Sequence, residues 1–502
     1  MKVQKSSFKT ETACDTKISE SLVEGKLSVP SEKADIERIL FVQGKVHVNT
    51  QPADGKVLMD GIVKFNVIYI DSNGGVDSFE SLSPFRHSAE FKKAGVGMNV
   101  YSKGYIREVE HSVDDKRTVY VKGIVSMSIR GSVMDSYDAV SKAESDDMQV
   151  KMHKRRLAST KEFKRETAMV REDIRIPQSM PRAEKILCND AYAVVKSIKT
   201  EDLKIIVEGE IKMMILYLSE DKNAPIQHFY ESLPFGEIFS SENVLADDIV
   251  MADADMYDTS VDIAEDEGDI LRLYAKIDII IDAKTNADIE YMEDAYSLKR
   301  KLNIKYKDYT YQHMALCGCV KAIARCTIAV PQTHPSVSRI VCMKASPVIV
   351  SATPNTDRVY LEGLMMFTIC YASPEGLRSY CGETPFEAEA QMEGVISSHQ
   401  VDVAAEVEYC SFEGAGRDIS VKFMMDIEIR GYSKNNLRIV SDLEDTGEST
   451  AVKKGITIYF ADEGESVWDI AKRYSTTLDT VKKFNPDIGD NVKQGQKILI
   501  MS

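Results

Sequence analysis

The chain has one tryptophan and eight histidines in 502 residues, and none of the histidines stands in a nucleophile–base pattern. HExxH, GxSxG and P-loop sequences are absent, which removes the zinc-peptidase, serine-hydrolase and nucleotide-hydrolase classes. Carboxylates are plentiful, so a glycosidase pair stays open on sequence alone. No apolar run approaches the roughly 18 residues of a membrane-spanning helix. The opening "MKVQKSSFKTETACD" has no apolar segment, so no secretory signal is expected. Nine cysteines are present, seven of them between Cys317 and Cys410, without a CxxC pair. "CGC" at Cys317–Cys319 is too tight for a usual zinc knuckle, so reduced, buried thiols are expected and no metal or other cofactor. Acids outnumber bases by 79 to 63, a net charge of −16, which argues against nucleic acid as a partner. The basic run from Lys151 to Arg165 reads as a solvated face or linker.

What the chain does have is repetition. "VLMDGIVKFNVIYID", "IIVEGEIKMMILYLS" and "VYLEGLMMFTICYAS" align without gaps from Val57, Ile205 and Val359. Each carries an acid–glycine pair and a tyrosine eight residues beyond the glycine: Gly61 and Tyr69, Gly209 and Tyr217, Gly363 and Tyr371. Upstream, Pro30, Pro177 and Pro331 precede Ile39, Ile186 and Ile340 by nine residues. Downstream come the "PF" pairs ending at Phe85, Phe235 and Phe386, then strand-like segments such as "VSMSIRG" and "MDIEIRG". Matched landmarks in three copies define an internal repeat. The segments are short, rich in β-branched and aromatic residues, and bounded by turn residues. The expected fold is mainly β: three tandem antiparallel sandwich- or barrel-like repeats at 1–146, 147–295 and 296–440. The charged segments at 146–165 and 294–308 fit helix or extended chain equally. The shared glycine, tyrosine and Pro-Phe residues are read as structural.

A polar stretch, Ser441–Gly455, reads as a linker before a separate unit at 456–502. "ITIYF" is a strand. Ser466, with Asp469 three residues on, is a capping box for the helix "VWDIAKRY". Thr477 caps a second helix that ends at Asn485-Pro486, and "KILIM" closes the unit as a strand, giving βααβ. The fragments "GESVWDIAKRY", "KKFNP" and "VKQGQKILI" resemble the LysM family. That resemblance implies a groove for N-acetylglucosamine chains between two loops, here Gly464, Glu465, Ser466 and Val467 with Asn485, Pro486, Asp487 and Ile488. Each of these has a structural reading as well: Ser466 as cap, Pro486 as helix stop, Val467 as core. Trp468, inside the helix motif, is read as core rather than as a sugar-stacking ring.

Three such β repeats followed by a LysM-like unit resemble the SipL-like family of clostridial spore-coat morphogenetic proteins, whose repeated module is the SPOCS domain. The family implies a non-enzymatic scaffold at the forespore surface, in the mother-cell cytoplasm and spore coat. It implies the basement-layer ATPase of the stage IV sporulation protein A type and other coat proteins as partners. The tail would then bind a coat protein or a peptidoglycan-type glycan, as a detachable module on a flexible tether, and replacing Asn485 or Ile488 should spare its fold. The alternatives are a cell-wall glycan-binding or anchoring protein and, behind it, a peptidoglycan hydrolase.

Overall fold

A glycine in the middle of a strand leaves a gap that something must fill. In each repeat a phenylalanine ring fills it. Gly61, Gly209 and Gly363 stand directly across from Phe85, Phe235 and Phe386 on the neighbouring strand. A Cβ on any of the three would lie 2.4 to 2.8 Å from that ring, and 2.4 to 2.9 Å from a carbonyl of the other neighbouring strand. The tyrosines eight residues on are wholly buried. Their hydroxyls donate to Ala34, Pro181 and Pro335 carbonyls at 3.3, 2.9 and 3.2 Å, pinning the loop that follows each conserved-in-repeat proline.

The computed structural model describes residues 2–14, 16–145, 147–221, 224–264, 268–449 and 455–501. The first repeat comprises β1 (Lys2–Ala13), β2 (Lys17–Ser28), β3 (Ile36–Ala53), β4 (Lys56–Asp71), β5 (Val76–Glu90), β6 (Asn99–Val113) and β7 (Thr118–Glu144). The second comprises β8 (Met148–Arg175), β9 (Ala183–Glu201), β10 (Lys204–Ser219), β11 (Ile226–Ser240), β12 (Ile249–Ile263) and β13 (Ile270–Ser297). The third comprises β14 (Arg300–Ala329), β15 (Arg339–Asn355), β16 (Arg358–Ser373), β17 (Gly376–Gln391), β18 (Gln400–Glu413) and β19 (Asp418–Ser449). Each is a sandwich of two antiparallel sheets. One sheet is a meander, β3-β4-β5, β9-β10-β11 or β15-β16-β17. The other joins the first and last strands of the repeat to β6, β12 or β18. In the first repeat the opening strand is split into β1 and β2, both paired with β7.

The charged inter-repeat segments are strand over residues 148–165, 294–297 and 300–308. β8, β13, β14 and β19 run for 28, 28, 30 and 32 residues, on the order of 90–100 Å at the usual rise. Such lengths exceed what one sandwich covers, and the excess forms a shared stem. Its core takes Tyr137 and Ala139, Leu157 and Tyr291, and Tyr311, Leu437 and Ile439 from the three repeats. Residues 441–449, expected as linker, belong to β19 and pair with β14 between Arg300 and Tyr306, because Val440 and Leu443 are buried in the stem. Residues 450–454 lie outside the described set.

The three sandwiches close around a pseudo-threefold axis. Equivalent positions meet there: Phe41, Cys188 and Cys342, with Ile68, Leu216 and Cys370. Beside this apolar plug the equivalent residues differ in charge. Gln43, Asp190 and Lys344 occupy one register position, and the Lys344 ammonium reaches Gln43 Oε1 and the Asp190 carboxylate, both at 3.0 Å. Lys64 pairs with Asp258 at 3.2 Å, near the bulge in β12. Lys212, its counterpart, pairs with Glu408 at 2.9 Å and Asp426 at 2.7 Å, near the bulge in β18. The third counterpart is Met366. All nine cysteines are free thiols: Cys188, Cys342, Cys370 and Cys410 are buried, whereas Cys317 and Cys381 are exposed. Burial pushes the Cys188 thiol up to about 12, which suits an inert core residue.

Candidate recognition groove and its mounting

The last unit contains β20 (Ile456–Phe460), α1 (Val467–Arg473), α2 (Leu478–Phe484) and β21 (Lys497–Met501), with β20 antiparallel to β21. Both helices are seven residues long, too short to persist without caps and tertiary packing. The Ser466 hydroxyl accepts the Asp469 N–H at 3.2 Å while Asp469 accepts the Ser466 N–H at 3.1 Å. Thr477 accepts the Thr480 N–H at 3.1 Å. The core is Val467, Ile470, Ala471, Val481, Ile498 and Ile500.

Seven of the eight groove residues fall on two neighbouring loops, and Val467 opens α1. The Val467 N–H donates to Asp490 O at 3.0 Å and the Val492 N–H to Glu465 O at 3.3 Å, which draws the loop before α1 against the chain that follows Ile488. Gly464 sits in the left-handed region at φ +77° and is exposed, as are Pro486 and Asp487. Glu465 accepts from the Tyr459 hydroxyl at 2.7 Å and pairs with Arg473 at 2.6 Å. Val467 is buried and Ile488 packs against the same core.

Asn485 differs from expectation. Its amide donates to Val481 O and Leu499 O, and its carbonyl accepts the Leu499 N–H, each at 2.8 Å. It staples α2 to β21, so replacing it disturbs the fold. Ile488 is half-buried and packs against the core. Gly464, Pro486 and Asp487 are the exposed members of the set, and Glu465, Ser466, Asn485 and Ile488 are half-buried. The signal in the sequence was Asn485 just before Pro486, a helix C-cap position; what it could not reveal was the strand waiting across from it.

Trp468 is 6% exposed, yet it faces outward from this unit and is covered by the stem. Its indole N–H donates to Asp294 Oδ2 at 2.8 Å, and its ring meets Tyr296 edge-on at 5.0 Å. Lys472, one turn along α1, reaches both Asp294 oxygens at 2.7 and 2.8 Å, and the Tyr306 hydroxyl donates to the same carboxylate. The Tyr296 hydroxyl donates to Thr476 O at 2.7 Å. Burial alone would raise the Asp294 carboxyl, but the bonds from Lys472, Tyr306 and Trp468 outweigh it and hold the group below the usual range. The tail is therefore mounted on the stem through one face of α1 rather than swinging on a tether, and the groove loops remain exposed.

Among the described residues no group of three or more His, Cys, Asp or Glu side chains is placed to hold a metal, and no helix is long and apolar enough to cross a membrane. No curated protein and no solved structure matches the chain. The family model for the SipL, SPOCS domain matches three times, at residues 35–114, 182–264 and 336–414. Each match begins at the loop pinned by the buried tyrosine and runs through the meander sheet to β6, β12 or β18. The long stem strands and the tail lie outside the matched regions. The chain thus carries three SipL-type SPOCS domains in tandem, one in each sandwich.

Proposed function

We propose that the chain is a non-catalytic adaptor of the spore coat: a three-domain SPOCS body that holds coat components at the forespore surface, with the LysM-like groove as its recognition end. The SPOCS domains mark the protein as sporulation-related, and theirs is not an enzyme family. The observation that carries the adaptor reading is the mounting of the tail. Asp294 fixes α1 to the stem while Gly464, Pro486 and Asp487 stay exposed at the groove. A recognition loop held on a rigid support loses little freedom on binding, which favours affinity. The partner in this reading is a coat protein, foremost the basement-layer ATPase, and a peptidoglycan-type glycan competes for the same groove.

The test uses the full chain with Asp487→Lys and Pro486→Ala in the exposed loop, neither of which touches the core. Binding to the purified coat ATPase and to muropeptides is measured by calorimetry, and coat attachment is scored in sporulating cells. Loss of ATPase binding together with coat detachment supports the adaptor; loss of muropeptide binding alone supports a wall-binding protein. Intact binding to both partners in both variants overturns the assignment of the groove.

A further inference from the structure

Where the three sandwiches meet, beside the apolar plug, they leave a chamber of about 470 Å³. That is within the usual range for a small-molecule site. β3 and β6, β9 and β12, and β15 and β18 all contribute to its wall. Much of the lining is soft and apolar: Met213, Met256, Met343 and Met366, with Phe367 and Tyr230. Methionines adapt to irregular apolar shapes.

Several charged groups in the wall are already paired. Lys344 is held by Asp190, Lys103 pairs with Glu406 at 3.4 Å, and Glu408 is held by Lys212 and Lys321. Two are not. Among the described residues Lys45 forms no ion pair, and its ammonium donates only to the Ala191 carbonyl. Asp255, across the first–second repeat seam, forms neither an ion pair nor a hydrogen bond there. Lys103 and His47 act on Asp255, and Asp190 on Lys45, more strongly than the two act on each other, none of them in contact. Burial pulls the Lys45 amine down to about 8 and pushes the Asp255 carboxyl up. Both charges therefore stand in surroundings that oppose them, and a partner charge delivered to each would relieve that.

We propose that this chamber binds a zwitterion of the amino-acid or short-peptide class, its carboxylate on Lys45, its ammonium on Asp255, and an apolar side chain against the methionine wall. The separated pair of opposite unpaired charges selects a molecule that carries both signs at two ends. A plain anion would leave Asp255 unmet, and a plain amine would leave Lys45 unmet. The site belongs to the SPOCS body and does not depend on the tail groove.

The experiment is calorimetry on the full chain with L-leucine, L-leucyl-L-leucine, N-acetyl-L-leucine and L-leucinamide. At least one of the two zwitterions is expected to bind, and each blocked compound at least about tenfold more weakly, as loss of one charge-assisted contact implies. Lys45→Met is expected to abolish the difference between L-leucine and leucinamide, and Asp255→Asn that between L-leucine and its N-acetyl form. No binding of either zwitterion at millimolar concentration, or equal binding of the blocked compounds, overturns the proposal. The comparison among ligands on the unmodified chain decides the matter even where a substitution impairs folding.

Discussion

Lys212 and Asp426 meet at 2.7 Å across the seam between the second and third repeats, and both side chains are only 3% exposed. Asp426 also accepts the Tyr192 hydroxyl at 2.8 Å, and Lys212 also reaches Glu408. At the same register position the first repeat has Lys64 and the third has Met366. Charge thus orders the ring: one lysine faces the second repeat, the next faces the third, and a methionine closes the circle.

Removing one member of a buried pair strands the other, typically at about 3–5 kcal/mol. Lys212→Met is therefore expected to destabilise the chain by roughly that amount in urea unfolding. Met366 already shows that a methionine fits this place in the repeat. The double substitution Lys212→Met with Asp426→Asn is expected to recover part of the loss, because Lys321 still holds Glu408. Additive losses would contradict a direct coupling.

Gly209→Ala places a methyl 2.4 Å from both the Phe235 ring and the Val194 carbonyl. The ring can turn aside but the carbonyl cannot. A loss of about 1–3 kcal/mol is expected, with a lowered Tm, and trimming Phe235 to leucine alongside should fail to restore it. Restoration would mean that the ring alone makes the contact tight.

Asp294 gives the tail a pH limit. Its folded pKa lies below the ordinary value of 3.8, so the stability it lends to docking is complete above that value. That stability is lost as pH falls through the lower folded pKa. Trp468, the single tryptophan, reports the event directly. A red shift of its emission is expected below about pH 4, with the far-ultraviolet signal of the sheets retained. Asp294→Asn should remove the transition.

Lys45 is expected to react as an unusually nucleophilic amine. Its pKa is lowered to about 8 from 10.5, chiefly by burial. The unfolded chain then binds the extra proton between those two values, so this group makes stability rise with pH across that window. Acetylation followed by peptide mass analysis should give Lys45 a half-maximal rate near pH 8, distinct from the surface lysines. A profile shared with those lysines would show the amine to be solvated.

The repeat was legible because its landmarks are backbone requirements. A strand glycine under a phenylalanine ring, and a tyrosine pinning a loop, recur wherever the same sandwich is built, so the letters recur too. The ring was not legible, since it depends on positions where the copies differ: Gln43, Asp190 and Lys344 look unrelated until the register aligns them. The linker expectation failed at residues 441–449 because polar composition is also what the outer face of a long stem strand needs. In the tail, capping residues gave the helices and the loops in full. Asn485 and Trp468 escaped because each is explained by a partner far along the chain, Leu499 for one and Asp294 for the other.

The central claim is that the tail is a fixed part of one body. Time-resolved fluorescence anisotropy of Trp468 in the full chain tests it without any substitution. The expected decay at neutral pH shows one slow rotation, that of the whole 56.2 kDa particle. A dominant fast rotation, characteristic of a small unit tumbling on a tether, would contradict it.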